Sequence, residues 1–245
     1  MKQIRTATSN KFAVVTGASS GIGSAVAKHL TEQSCHVILL SRDTIRINKT
    51  IRELETNGPK SYEFIPTDLA SAESLTKTIN QIKSRYERID LIVHAASIYH
   101  DDQKAFYNIP YAKYSSHDIL DTLNVTLTSF ALLIHGLLPT FTSRTKIIAI
   151  SGTFDSGAKG WLPYYVAKKG LEDFTVGLAQ ELKTKNITVN AISPGDTLTA
   201  SYAKYFPEFA NEKTAIIPSD VIDTLDFLIS EKAKYVTGQI IAVSK

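Results

Sequence analysis

Two stretches of the chain carry residue types spaced for chemistry. The first is TGASSGIG, residues 16–23, which follows the apolar run FAVV and leads into SAVAKHL, a stretch of helical spacing. Gly17, Gly21 and Gly23 permit a tight turn and a close backbone approach, with Ser19, Ser20 and Ile22 among them. A helix starting here offers free N–H groups and the positive end of its dipole to a pyrophosphate. Alone, such a turn serves equally as plain helix capping; between a first strand and a first helix it reads as a dinucleotide signal. The second stretch is PYYVAKKG, residues 163–170, with two Tyr-x-x-x-Lys pairs, Tyr164 with Lys168 and Tyr165 with Lys169. Residues four apart share a helix face, so either pair sets an ammonium beside a phenol. Ala167, Leu171, Phe174, Leu178 and Leu182 form an apolar stripe with Tyr164 and Lys168 along its edge. Tyr165 and Lys169 fall on the polar side with Glu172, Asp173, Gln180 and Lys183. Tyr164 and Lys168 are therefore the inward pair. A phenol ordinarily titrates near pH ~10, and a fixed cation favours its ionised form. That brings it toward the range of a proton donor to a carbonyl oxygen receiving hydride.

These groups need a frame. Short apolar runs recur as KFAVVT, HVILLS, SYEFIP, IDLIVHA, TKIIAIS, ITVNAIS and GQIIAVS. Segments of helical length separate them: 25–33, 44–56, 72–86, 118–138, 164–183 and 220–230. Strands apolar almost throughout, alternating with helices, specify a parallel sheet covered on both faces. The expected fold is a doubly wound α/β (Rossmann) domain with seven parallel strands and helices on both faces. In such folds ligands bind beyond the carboxyl ends of the strands. Residues 1–10 read as a loose tail, 11–245 as one domain, and the irregular stretch 196–217 as a lid over the substrate.

With 245 residues, 43% of them hydrophobic, the chain can bury one large core. A formal charge of +3 without a basic stripe makes nucleic acid a poor guess for a partner. The single Cys35 forms no intrachain disulfide and fits a reducing compartment. The most apolar segment, FALLIHGLL at 130–138, is interrupted by His135 and too short to span a bilayer. The expectation is a soluble cytoplasmic protein without membrane contact.

The second strand ends in Ser41 and Arg42, followed by Asp43. A carboxylate at a strand end here binds the ribose hydroxyls of NAD, whereas an arginine accommodates the 2′-phosphate of NADP; the pattern favours NADP(H), the plain alternative being that Asp43 caps the next helix and Arg42 is a solvated surface charge. Asp68 in PTDLAS either accepts a hydrogen bond from an adenine amino group or caps the helix that follows.

Together these residues resemble the short-chain dehydrogenase/reductase family, and the resemblance runs from Lys11 to Val243. It is carried by TGASSGIG, Asp68, HAAS at 94–97, Asn124, Ser151, Tyr164 with Lys168, NAISPG at 190–195 and YVTGQIIAV at the last strand. The interval of 13 positions from Ser151 to Tyr164 matches the family's spacing. The resemblance implies hydride transfer between NADP(H) and a carbonyl or alcohol. Tyr164 would be the general acid, Ser151 would bind the substrate oxygen, and Lys168 would lower the tyrosine pKa and hold the nicotinamide ribose. Asn124 would hold a water linking Lys168 to solvent. Leu69, Ala95 and Ala96 would contact the cofactor, and Pro194, Gly195 and Thr197 would border the nicotinamide. It also implies a homo-oligomer, dimer or tetramer, built on the helices beginning near Asp118 and Tyr164. Two departures stand out: His94-Ala95-Ala96-Ser97 replaces the family's Asn-Asn-Ala-Gly, and the tail reads AVSK where many members have an acidic residue and two glycines. A serine at the fourth position occurs in some pterin-reducing members.

Tyr99, Phe154, Trp161, Tyr202, Tyr205, Phe206 and Phe209 lie in the segments after strands four to six, where they either enclose a planar or bulky apolar substrate or pack on one another. His100, Asp101 and Asp102 read as a solvated loop rather than a metal site. The leading functional expectation is an NADPH-dependent carbonyl reductase acting on a small-molecule carbonyl or alcohol. The alternatives are a non-catalytic NADP(H)-binding sensor or scaffold and an NAD-linked alcohol dehydrogenase.

Overall fold

The computed structural model describes residues 11–42, 44–56, 61–100, 105–154 and 157–245. The expected tail 1–10, Asp43 and the Asp101-Asp102 pair lie outside the described residues. Seven strands form one sheet: β1 Phe12–Thr16, β2 His36–Ser41, β3 Tyr62–Pro66, β4 Ile89–His94, β5 Phe141–Ile150, β6 Thr188–Pro194 and β7 Ile240–Val243. Their order is β3-β2-β1-β4-β5-β6-β7, and every neighbouring pair is parallel. The order in which successive strands are added reverses between β1 and β4, the place where doubly wound sheets open a crevice for ligands.

Each strand feeds both faces because successive side chains alternate. On one face Val14, Ile38, Ile92, Ile147 and Val189 meet α3 (Ala72–Arg85), α5 (Ser129–Leu137) and α6 (Leu162–Leu182). On the other, Val15, Leu39, Val93, Ile148 and Ile192 meet α1 (Gly21–Glu32), α2 (Arg46–Thr56) and α8 (Pro218–Ile229). The helix ends follow local chemistry. The Ser71 hydroxyl caps α3 by accepting from Ser74 N at 3.2 Å, with Glu73 in the first turn and Lys83 and Arg85 in the last. A capping box joins Ser115 to Asp118 at the start of α4 (Ser116–Leu123).

The expected single helix 118–138 is instead α4, a π-helical turn over Asn124–Thr128, and α5. His94 explains the break. Its Nε2 lies 3.0 Å from the carbonyl oxygen of Thr126, which can only accept, so Nε2 carries the proton. Nδ1 then accepts from the Thr16 hydroxyl at 2.9 Å, and Thr16 Oγ1 accepts from Ala96 N at 3.2 Å. A buried imidazole thus ties β1, β4 and the widened turn together. Taken as one run, Ser116–Thr140, which contains FALLIHGLL, has the length and hydropathy of a membrane-crossing helix; in the fold, Phe130, Leu133, Ile134 and Leu137 of that run are core residues. The stretch 196–217, expected to be irregular, contains a short helix, α7 (Ala200–Tyr205), capped by Thr199.

Candidate active site

The loops at the carboxyl ends of the strands enclose a cleft of about 910 Å³. At one end lies the glycine turn. Gly17 has φ +67°, and a Cβ there would sit 2.9 Å from Ala96 Cα; a Cβ on Gly23 would sit 2.3 Å from Gly17 O. Both glycines are required by backbone-on-backbone contact. Ser20 precedes α1 without forming a side-chain cap, so no side chain of its own occupies the first-turn N–H groups. The stretch 196–217 reaches this end too, for Thr199 Cγ2 would lie 3.4 Å from a Cβ on Gly21. The result is a concave cradle of backbone donors at a helix N-terminus, which fits a pyrophosphate.

All the residues expected to touch the cofactor line this one cleft, from Ser19 and Ile22 through Leu69 and Ala95 to Pro194, Gly195 and Thr197. Buried Ser41 and exposed Arg42 mark the end at β2, joined by Arg46 of α2, which the sequence reading did not single out. Asp68 lines the cleft, and its carboxylate accepts from Ala70 N at 3.1 Å. The capping alternative for Asp68 does not hold, because Ser71 caps α3.

Of the four expected catalytic residues, Ser151, Tyr164 and Lys168 line the cleft. Asn124 does not: it opens the π-helical turn, and its neighbour Val125 is the residue that reaches the cleft wall. Lys168 is 2% exposed; its Nζ donates to Ile150 O at 2.7 Å and lies 5.5 Å from the centre of the Tyr164 ring. Burial pulls the Lys168 ammonium down to about 7, opposed by the charge of Glu172. Burial also pushes the Tyr164 phenol well above its ordinary range; neighbouring Tyr99 adds to this, and a hydrogen bond from Ser97 opposes it. The expected lowering of the tyrosine by its lysine partner is thus outweighed by desolvation, which penalises both charged forms.

Glu172 was assigned to the polar side of α6, and the structure corrects this: it is 8% exposed. Its Oε1 accepts from Ser151 Oγ at 2.6 Å and from Ser193 Oγ at 3.4 Å, and its Oε2 pairs with Lys169 Nζ at 2.8 Å. The signal was present in the spacing, since Tyr164, Lys168 and Glu172 follow one another at four-residue intervals along one face.

The aromatic residues pack on one another and also line the cleft. Trp161 lies 4.4 Å from Tyr107 and 6.0 Å from Tyr164, Phe206 lies 5.2 Å from Tyr202, and Phe154 lies 5.7 Å from Tyr164, all as ring-centre distances. The same rings form one wall of the cleft. Tyr205 instead stacks on His100 at 4.9 Å. Tyr107 was missed because it lies well beyond the end of β4, with no periodic signal around it.

Comparison with known proteins joins this geometry to a lineage. Residues 17–245 match the family model described as enoyl-(acyl carrier protein) reductase. The chain is 30% identical over 249 residues to mouse dehydrogenase/reductase SDR family member 4, covering 96% of this chain and 86% of that protein. The chain belongs to the short-chain dehydrogenase/reductase family. It is also 30% identical over 244 residues to the 3-oxoacyl-[acyl-carrier-protein] reductase FabG of Aquifex aeolicus, covering 96% of each. Among solved structures, a short-chain dehydrogenase/reductase from Serratia marcescens superposes with TM-score 0.83 at 22% identity over 96% of each chain. A Beutenbergia cavernae structure, described as an NAD(P)-dependent gluconate 5-dehydrogenase with bound NADP at low occupancy, superposes with TM-score 0.82 at 25% identity over 97% of this chain and 96% of that one. The protein is an oxidoreductase of this family with its doubly wound fold.

Proposed function

We propose that the protein is a cytoplasmic NADPH-dependent carbonyl reductase that acts on a compact, planar or bulky carbonyl compound with Tyr164 as the general acid. The observation that carries this reading is the placement of partly buried Tyr164 beside buried Lys168 in the same cleft that holds the glycine cradle. NADP(H), when bound there, supplies or accepts the hydride. Residues Gly17, Gly21 and Gly23 would hold its pyrophosphate on backbone N–H groups. Arg42 and Arg46 would meet the 2′-phosphate as charge-assisted donors, which supports NADP over NAD. The NADP found with the Beutenbergia relative agrees with that choice.

Tyr164 would place its proton on the substrate oxygen as charge develops there. Lys168, neutral or charged near pH 7, would return a proton toward Tyr164 and hold the ribose of the cofactor. The ring wall of Trp161, Phe154 and Phe206 would exclude water from the reacting atoms. A panel of diketones, quinones, ketoacyl thioesters, steroids and pterins, assayed by NADPH oxidation, tests the assignment and narrows the substrate class. One observation favours the non-catalytic alternative, namely the engagement of the Ser151 hydroxyl by Glu172. Saturable NADPH binding without turnover across the whole panel would support it.

A further inference from the structure

His94 stands at the middle of the sheet, opposite Thr16 of β1 and Ala149 of β5, and is fully buried. Its ring lies against Phe130 with centres 4.9 Å apart, and both ring nitrogens are bonded. At one end Nδ1 accepts from Thr16, the residue that opens the glycine turn. At the other, Nε2 donates to the carbonyl of buried Thr126. One side chain thus reaches from the cofactor cradle to the π-helical turn.

That turn touches the catalytic helix. Its widened bonding runs from Ser129 N to Asn124 O, and a widened turn has carbonyls to offer outside the helix. Leu127 of the turn packs on α6: a Cβ on Gly170 would lie 2.8 Å from Leu127 Cδ2, so the two meet with no room for a methyl. Gly170 is two residues beyond Lys168, whose Nζ donates to Ile150 O, next along β5 from the Ala149 that pairs with His94. With no donor for the Thr126 carbonyl, a buried acceptor is left unpaired, and the turn must take up water or rewind to satisfy it. Either change moves Leu127 against Gly170.

We propose that His94 is a positioning residue: by holding the Thr126 carbonyl it fixes the π-helical turn against α6 and so keeps Lys168 in place beside Tyr164. The kinetic part of this inference rests on the reading of Tyr164 and Lys168 as the reacting pair. An imidazole suits the task because it is rigid and spans both partners at once. It also stays neutral, since burial first and the charge of Lys168 second hold its pKa at about 3. A neutral ring with its proton on Nε2 adds no charge near the Lys168 ammonium.

Two amide variants separate the ends of the link. Asparagine carries its polar atoms at the level of Nδ1 and keeps the Thr16 bond alone; glutamine carries them at the level of Nε2 and keeps the Thr126 bond alone. Each variant gives up one hydrogen bond, so both should lose a similar amount of melting temperature, and both are uncharged. Only His94→Asn should disturb Lys168. The readout independent of turnover is the titration of Lys168, followed by carbon-13 at Cε in cofactor-free protein and assigned by its absence in Lys168→Met. Its midpoint, about 7 in the parent through burial, should move up toward the ordinary lysine range in His94→Asn, as water reaches the ammonium, and stay put in His94→Gln. With NADPH and the best carbonyl substrate, kcat should fall about tenfold in His94→Asn, the usual cost of leaving a buried acceptor unpaired, with KM little changed. His94→Gln should stay within severalfold of the parent. Leu127→Ala loosens the contact on Gly170 without touching the imidazole, so it should move Lys168 the same way even where a His94 variant fails to fold. A Lys168 midpoint at the parent value in both His94→Asn and Leu127→Ala, or equal movement and equal kcat loss in the two His94 variants, would overturn the proposal. No turnover by the parent on any carbonyl compound would instead remove the reductase reading and leave the Lys168 titration to decide on His94.

Discussion

Lys168 and His94 are basic side chains held where their charged forms are disfavoured, and each leaves a signature in the pH dependence of stability. Lys168 falls from an ordinary 10.5 to about 7 on folding. Between those values the unfolded chain binds more protons than the folded one, so stability rises as pH climbs from about 7 toward 10.5 and the penalty is largest below 7. Lys168→Met should therefore be more stable than the parent at neutral pH and flatter across that window, as read by urea unfolding, while turnover falls by a factor of about 10² or more. His94 falls from 6.5 to about 3, mainly through burial and secondarily through the charge of Lys168. Its neutral form contributes stability that is complete above 6.5 and is lost as pH drops toward 3. His94→Asn removes the titrating group, so its unfolding midpoint should depend less on acid than the parent's does. The inward Tyr164–Lys168 pair was legible from helical spacing alone. The role of Glu172 was missed although its four-residue spacing from Lys168 carried it, because it was grouped with the polar neighbours Asp173, Gln180 and Lys183, and its partner Ser151 lies far off in sequence, just after β5. Asn124 was placed through resemblance, as the holder of a water linking Lys168 to solvent, and the structure puts it at the start of the π-helical turn, beside Val125 of the cleft wall.

At the scale of elements, the strand–turn–helix from β1 to α1 bears the tightest constraint. A methyl on Gly23 would lie 2.3 Å from Gly17 O, against backbone that cannot yield. Gly23→Ala should cost about 1–3 kcal/mol of stability and weaken NADPH binding further, because the turn must open to admit the methyl. Differential scanning calorimetry and a cofactor titration check the two effects separately. The adenosine end makes its own prediction. Arg42→Ala and Arg46→Ala should each weaken NADPH binding about tenfold, in line with the loss of a bond to a charged group, and leave NADH binding nearly unchanged. Equal losses for both cofactors would place the arginines elsewhere than at a 2′-phosphate. The central strands were legible because buried parallel strands read as unbroken apolar runs, and the partly buried edge strands β3 and β7 still carried enough apolar residues to be read. The helix break at Asn124–Thr128 and the short α7 were not, since the first depends on His94, distant in sequence, and the second is less than two turns long.

For the whole molecule, the cleft joins segments from every strand-end loop between β1 and β7, including Ser244 and Lys245 at the tail, so ligand binding should tie the fold together. NADPH at a hundred times its Kd should raise stability by about 2.7 kcal/mol, visible as a concentration-dependent rise in Tm that NADH reproduces only at higher concentration. Exposed Leu120, Leu132 and Val166 on α4, α5 and α6 support self-association through those helices; sedimentation equilibrium should give a dimer or larger, and a monomer at micromolar concentration would contradict it. The proposed function turns on delivery of a proton by Tyr164 in an NADPH-driven reduction. Its most direct test is steady-state NADPH oxidation by the parent and by Tyr164→Phe, using the best carbonyl substrate of the panel and matched NADPH affinity. Turnover is expected in the parent, and a loss of at least about 10² in kcat in the variant, with NADPH binding retained. Equal turnover by the two proteins would contradict it.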